Sequence, residues 1–485
     1  MKISLIMPVA KFYSADSGSV PPYALLYLGS ALKKAGHDVR IHHDSDFWRV
    51  INEIKAFGPS LVGISAFTGY PVKLACEYAK IIKNSIYGVQ VVLGGYHATM
   101  LPKQVMKDHW FDFAVVGEGE NTIVKLADAL QKGENYFDIP GLWWKSDEGD
   151  TVHIGDDAPL SANIDYDIDW SLVDVSTYTK KVSHLGGKRY FYIFSSRGCP
   201  YNCSFCAGAF LHKQKYRKES AEHVIKQYKS ILDKYDVELV EYLDDNFFVD
   251  LDWAERVAIG IGRPYRALIR VDRITPEVCD LLNRTKCRAI FVGIESGNEH
   301  VRNDIMNKRL TDEKIYSAMK LMADKCPDIN ISAMFIGGIP GEHYSEFRDT
   351  CKMAVMLTDI NPRLLPQFNV YAPYPYCKSY VDAVNMGWVP PQKTEDWILD
   401  SKPGKAVDAV WLDYYSKRMM SKFKWTAVIF ILLRQENNLR GLKGLAKRIL
   451  RSLAVIRLKT DFYYAPFELR IFWFLYMNMI RADVN

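Results

Sequence analysis

Over its first 130 residues the chain alternates short, continuous apolar runs with longer stretches whose apolar positions recur every three or four residues. ISLIMPV reads as a strand, Asp16–Pro22 as a Gly/Ser/Pro loop, and YALLYLGSALKKAG as a helix stopped by Gly36. HDVRIH, PSLVGISAF, VQVVLGG and DFAVVGEGE supply four more strands, with helices over Phe47–Phe57, Pro71–Asn84 and Asn121–Gln131. Apolar strands alternating with helices predict a parallel sheet covered on both faces. Ligands of such sheets sit beyond the carboxyl ends of the strands, and here those ends are polar and glycine-rich: Ser65–Gly69, Gly94–Thr99 and Gly117–Glu120.

An Asp- and Gly-rich stretch of weak periodicity follows, and the alternation resumes at Tyr190. Six strands (YFYIFSS, VELVEYLDD, YRALIRVD, AIFVGIES, NISAMFIGGIP and LLPQFNVYAPY) enclose helices at Ala221–Lys234, Trp253–Ile261, Pro276–Arg284, Thr311–Asp324 and Tyr344–Thr358. Six strands and five helices predict a partial (β/α)6 barrel of TIM type rather than a full eight. The expected α/β organisation is therefore a Rossmann-like domain over 1–135, a linker over 136–189, a partial barrel over 190–385, and a mainly helical, basic region over 386–485.

Composition is that of an ordinary globular protein, which sets aside disorder, collagen and coiled coil. The net charge of +5 is uneven. From Ser401 onward 16 Lys and Arg stand against 6 Asp and Glu, so the preceding four-fifths is net negative. In that tail Leu439, Leu442, Leu445, Ile449, Leu453 and Ile456 recur at helical spacing among Arg440, Lys443, Lys447, Arg448 and Arg451. Such a helix either caps the barrel with a solvated basic face or meets anionic lipid at an interface; nucleic acid is a weaker reading, because no RNA-binding module accompanies the charge. The longest apolar run, Trp425–Leu433, is too short to span a membrane, and a cytoplasmic protein is expected.

Nine cysteines in 485 residues do not form a secreted disulfide framework. Three of them, Cys199, Cys203 and Cys206 in SSRGCPYNCSFCAG, follow the first barrel strand with spacing C-x3-C-x2-C. Thiolate ligands select iron–sulfur clusters or zinc. A structural zinc site asks for four protein ligands, and the nearest further donor is His212. Three ligands to a cubane would leave one iron open. A zinc site completed by a distant residue, as in a non-catalytic metal-binding or membrane-adaptor protein, stays open on spacing alone.

The triplet, with Phe205 before its last cysteine, resembles the signature of the radical S-adenosylmethionine superfamily. EYLDDNFF (241–248), IRVDRIT (269–275), FVGIESGNE (291–299) and FIGGIPGE (335–342) are similar to its successive strand-end motifs. The resemblance implies a 4Fe-4S cluster on the three cysteines and S-adenosylmethionine contacted by Asp244, Asp245, Arg270, Glu295, Ser296, Gly337 and Gly338. One electron, from a donor such as flavodoxin or ferredoxin, would cleave the sulfonium to a 5′-deoxyadenosyl radical. Read blandly, Arg270 pairs with Asp272 and the glycines make a plain turn.

VGISAF…VVLGGYHATMLP…FAVVGEGEN resembles the cobalamin-binding domain of the cobalamin-dependent members. Cobalamin would lie along Ser65, Thr68, Gly94, Gly95, His97, Gly117 and Glu118. The Asp-x-His-x-x-Gly motif of other cobalamin enzymes is absent, and His97 reads better as a loop hydrogen-bonding residue than as an axial ligand. A domain that kept its fold but lost cobalamin is the alternative. Methylthio-transferring relatives carry three further cysteines in this domain, where the present chain has Cys76 alone. The resemblance implies methylation, or ring closure, of an unactivated centre in a small molecule, and the interfacial reading of the tail would make that molecule lipid-like. Tyr376 and Cys377 replace Gly-Thr of a Pro-Tyr-Pro-Gly-Thr-type turn, and either touch substrate as catalytic residues or simply pack.

Overall fold

Five parallel strands, four of them buried and one at the edge, make up most of the first layer. In chain order the first domain contains β1 (Lys2–Ile6), α1 (Tyr23–Lys34), β2 (Asp38–His42), α2 (Phe47–Phe57), β3 (Leu61–Ser65), α3 (Tyr70–Ser85), β4 (Gln90–Gly94), α4 (Tyr96–Met100), α5 (Pro102–Lys107), β5 (Phe113–Val115) and α6 (Glu120–Lys132). The computed structural model describes residues 1–9, 20–146, 151–152, 158–182, 187–398 and 409–413, together with 449, 452–457 and 460. Local chemistry explains where the helices begin and end. Asp46 accepts a hydrogen bond from the Arg49 amide at 3.1 Å, and Gly58 at φ 63° closes α2 in the left-handed region.

The stretch 136–189, expected as a linker, contains three short strands among the described residues. Its first half adds β6 (Leu142–Lys145) and β7 (Thr151–Val152), antiparallel to β5 and to each other, giving the order β2-β1-β3-β4-β5-β6-β7. Its last strand, β8 (Lys181–Val182), pairs antiparallel with β9 (Lys188–Ile193) of the second sheet.

The second domain continues with β10 (Ser196–Arg197), α7 (Gly208–Leu211), β11 (Arg217–Lys218), α8 (Ala221–Lys234), β12 (Leu239–Tyr242), α9 (Leu251–Ile261), β13 (Tyr265–Arg270), α10 (Pro276–Arg284), β14 (Cys287–Glu295), α11 (Asp312–Lys325), β15 (Asn330–Gly337), α12 (Tyr344–Ile360), β16 (Leu364–Val370) and α13 (Lys378–Asn385). The order β16-β15-β14-β13-β12-β9-β8 makes six parallel strands with one antiparallel edge, the partial barrel that the alternation predicts. Ser220, Asp250, Thr275 and Thr311 each cap the following helix by accepting from a backbone amide three residues on.

Beyond α13 the expectation of mainly helical structure does not hold across 386–398, which carries a single short turn at Thr394–Asp396. Trp388, Trp397 and Trp411 instead bury their rings in one apolar cluster with Val72, Ala75 and Ala79 of α3. Trp397 donates to the Gln104 side chain at 2.6 Å, and Trp411 donates to the Gly338 carbonyl at 2.9 Å. Residues 388–398 and 409–411 thus strap the two domains together. Of the amphipathic pattern in the tail, Leu439, Leu442 and Leu445 lie outside the described residues; Ile449 and Ile456 are exposed. Among the described residues no helix is long and apolar enough to cross a membrane.

The domains also meet through α1. Tyr23 and Tyr27 belong to the apolar core of the barrel domain, and the Tyr27 hydroxyl donates to Glu219 at 2.9 Å. Burial pushes the Glu219 carboxyl up to about 9, so it folds in its neutral form. The unfolded state then loses this proton at lower pH than the native state, so its contribution to stability falls as pH rises from about 4.5 toward 9. The melting temperature of the wild type relative to Glu219→Gln is expected to fall between pH 5 and 9; a difference independent of pH overturns the assignment. Gly297 is a second test of packing. A Cβ there would lie 2.5 Å from Thr350 Cα and 2.6 Å from the Asp349 carbonyl, both backbone atoms of α12. Gly297→Ala is expected to cost at least ~1–3 kcal/mol, read as a lower melting temperature.

Candidate active site

Cys199, Cys203 and Cys206 lie on the loop between β10 and β11, two strands whose antiparallel pairing closes the loop at its base. Gly198 begins the loop at φ 84°, where a Cβ would strike the His212 side chain at 2.7 Å. The middle is pinned by Ser204. Its amide donates to the Met306 carbonyl at 3.0 Å, its hydroxyl donates to the Ile305 carbonyl at 2.6 Å, and its carbonyl accepts from the Ser379 amide at 3.0 Å. The Cys206 amide donates to the Cys203 carbonyl at 3.2 Å, which folds the last two cysteines into one turn.

Burial raises the Cys199 thiol and pushes Cys206 up to about 11, although Cys206 is exposed. A thiol both reachable by water and desolvated lines a recess. Binding as thiolate needs compensating positive charge, which a metal centre supplies. Among the described residues no three His, Cys, Asp or Glu side chains converge as a single-ion site. A cubane makes a different demand, one thiolate on each of three irons, and three soft sulfurs on one closed, pinned loop suit it.

The strand-end residues divide by what they touch. Asp244 is 2% exposed and accepts from the Ser195 amide at 3.3 Å, the Ser195 hydroxyl at 3.0 Å and the Ser196 hydroxyl, the residues leading into the loop. Burial pushes its carboxyl up to about 7. Asp245 next to it is exposed, and its carboxylate lies 3.9 Å from His212 Nε2. Arg270 makes the expected pair with Asp272, at 2.9 and 3.1 Å, donates to the Lys308 carbonyl at 2.9 Å, and lies 3.8 Å above the Tyr201 ring inside the cysteine loop. Glu295 is buried at φ 73° and accepts from Lys308 at 2.6 Å. Ser296, fully buried, shares hydrogen bonds with Thr350 and Asn298 and shapes the turn. Gly338, at φ 79°, donates its amide to the buried Glu342, while the carbonyl of Gly337 accepts from the Tyr371 amide.

In the first domain, Gly95 sits at φ 85° with its missing Cβ 2.9 Å from the Ser65 hydroxyl and the Ala66 backbone, so only glycine fits. A Cβ at Gly94 would stand at ordinary contact distance, 4.0 Å, from the Ile64 carbonyl and Val115, and Gly117 at φ 83° donates to Thr99 at 3.1 Å. His97 is fully buried, hydrogen-bonded to Thr68 at 3.1 Å and packed edge-on against Trp397; burial pushes its imidazole down to about 3, so it stays neutral. Glu118 spends its carboxylate on Arg217 and Arg197. The large exposed groups at this edge are Phe67 and Tyr96, in edge-to-face contact, with the Tyr96 ring 6.4 Å from His212 across the domain boundary. The carboxyl-end loops of both sheets therefore meet along one boundary. At its far side Tyr376, at φ 65° and 54% exposed, stacks on Phe210 at 4.3 Å, whereas Cys377 is buried with its thiol pushed up to about 12.

Four charged residues of this region were not anticipated from sequence. Arg197, Arg217, Glu120 and Lys308 are drawn in by partners 13 to 99 positions away. The available signal was the clustering of acids in GEGE and of a cation just ahead of Gly198, both at strand ends.

The model of the radical SAM superfamily matches residues 193–354, and that of the B12 binding domain matches residues 15–127. An uncharacterized methyltransferase from Pyrococcus horikoshii is 32% identical over 389 residues, covering 77% of this chain and 81% of the relative. An anaerobic magnesium-protoporphyrin IX monomethyl ester cyclase from Cereibacter sphaeroides is 25% identical over 459 residues, covering 89% and 73%. Among solved structures, the methyltransferase TsrM from Kitasatospora setae, with cobalamin and a [4Fe-4S] cluster bound, superposes with a TM-score of 0.67 at 19% identity, covering 79% of this chain and 78% of that one. With both domains matched in order, and a relative above 30% identity across four-fifths of its own length, the chain belongs to the radical S-adenosylmethionine enzymes that carry an N-terminal cobalamin-binding domain.

Proposed function

We propose that this enzyme methylates, or closes a ring on, an unactivated centre of a small, largely apolar molecule held in the opening between the two sheets. The observation that carries the reading is the juxtaposition of the pinned cysteine loop with the glycine-rich edge of the first domain, Tyr96 of one meeting His212 of the other. When bound, the 4Fe-4S cluster, S-adenosylmethionine and cobalamin supply a hydrogen-abstracting 5′-deoxyadenosyl radical and a transferable methyl group. The protein supplies position and dryness.

Cys199, Cys203 and Cys206 would hold the cluster. Asp245, exposed beside the loop, is suited to the polar end of S-adenosylmethionine, with Glu295, Ser296, Gly337 and Gly338 shaping the rim around it. Asp244 and Arg270 would act one step back. The first holds Ser195 and Ser196 at the root of the loop, and the second carries Tyr201. Ser65, Thr68, Gly94, Gly95 and Gly117 would hold cobalamin, and His97 would shape that edge as a neutral ring bonded to Thr68 and packed against Trp397. The exposed rings of Phe67, Tyr96, Phe210 and Tyr376 offer an apolar lining, which supports a flat or lipid-like substrate. A small reducing protein of flavodoxin or ferredoxin type would deliver the electron. One relative's name states methyl transfer and the other's ring closure, which supports carrying both reactions in the reading.

Anaerobically purified full-length protein is expected to carry iron, sulfide and a cobalamin spectrum. Cys203→Ala is expected to lose the cluster absorption and to lower 5′-deoxyadenosine formation by ~10³-fold or more, the order seen when a group acting in the chemistry itself is removed. A variant that retained both would overturn the reading. S-adenosylmethionine labelled in its methyl group separates the two reactions: a labelled product marks methyl transfer, and an unlabelled, dehydrogenated one marks ring closure.

A further inference from the structure

We propose that Glu118 and Glu120 of the first domain are a clamp on the cysteine loop, holding together the two arginines that close its base from the other domain. Arg197 and Arg217 are register partners in the β10–β11 pair, directly opposite each other. Like charges in that position repel, and Arg197 is only 8% exposed, so solvent cannot dilute the repulsion. The neutralising charge comes from the loop that ends β5. Arg217 donates to both Glu118 oxygens, at 2.6 and 2.9 Å, and to the Ser161 carbonyl at 2.9 Å. Arg197 donates to Glu120 at 2.7 Å and lies 3.1 Å from Glu118. Its guanidinium also sits 5.0 Å from the Tyr27 ring and 5.4 Å from Tyr166, so aromatic faces cover the side the carboxylates leave open.

The arrangement makes each domain incomplete alone. Without Glu118 and Glu120, two buried cations would face each other immediately ahead of Gly198 and Cys199, and an unpaired buried charge is among the costliest defects a fold can carry. Glu120 opens α6, where a negative charge is favoured by the helix N-terminus. The clamp touches none of the three cysteines. Its effect passes through the backbone of the loop, which makes Arg197, Arg217, Glu118 and Glu120 positioning residues. It also ties the edge proposed for cobalamin to the loop proposed for the cluster, because Gly117 directly precedes Glu118.

Hydrogen–deuterium exchange on the full chain tests this with no dependence on activity. In Glu118→Gln/Glu120→Gln, amides of 198–216 are expected to exchange at least about tenfold faster than in wild type, as befits the loss of buried ion pairs. Peptides from β3 and β14 are expected to stay unchanged. Glu120→Gln alone, a milder change should the double variant misfold, is expected to give a smaller acceleration confined to the same peptides. Glu120→Asp, which keeps the charge, is expected to restore most of the protection. Unchanged exchange at 198–216 in the double variant, or faster exchange spread evenly through both domains, overturns the clamp. Iron and sulfide retained after anaerobic reconstitution should fall together with loop protection. That readout alone rests on the cysteines being cluster ligands, so wild-type protein without iron would count against the proposed function while the exchange comparison still judged the clamp.

Discussion

Everything in this molecule depends on two parallel sheets being held with their carboxyl edges toward each other. Parallel sheets collect binding loops at that edge, because every strand runs into its loop there. One such edge gives a site for one ligand. Two edges facing across a boundary give a site where groups held by different domains can reach a common substrate. Apolar burial carries the load: Tyr23 and Tyr27 enter the barrel core, and Trp388, Trp397 and Trp411 close over α3 and the end of β15.

Polar groups then set the geometry that apolar contact leaves loose. The recurring device is a buried side chain that spends its hydrogen-bonding capacity on loop backbone. Ser204 does so toward Ile305, and Arg302 toward Leu310 and Ser296. Buried polar groups of this kind are costly unless fully satisfied, and once satisfied they admit few alternative conformations. Rigidity of that sort suits a site that must keep a reactive radical away from everything but one bond.

Where the fold was legible in the sequence, the reason is local. Ala221–Lys234 and Pro276–Arg284 start where expected because Ser220 and Thr275 announce themselves as caps, and the cysteine loop was visible because its three ligands fall within eight positions. What escaped was set by distant partners. β6 and β7 look like linker until β5 is alongside to pair with them, and the tryptophans after α13 anchor a strap whose spacing matches no helix. The site residues split in the same way. Arg270 and Asp272 are neighbours in sequence and their pairing could be read directly, whereas Glu118 finds Arg217 99 positions away. Glycines were informative in both regimes, since Gly95 and Gly198 are needed for backbone shape whatever lies around them.

The turn after β16 carries one more consequence. Tyr376 holds a left-handed backbone, φ 65°, at the position where the resembling turn has glycine. For a residue with a side chain that conformation costs on the order of 1–2 kcal/mol, and a glycine would remove the cost at once. The ring lies flat on Phe210, 9° from parallel and more than half open to water, so little burial offsets the penalty. An aromatic tile maintained against its own backbone, three positions from the Ser379 that anchors the cysteine loop, ties the shape of this rim to the seat of the three cysteines.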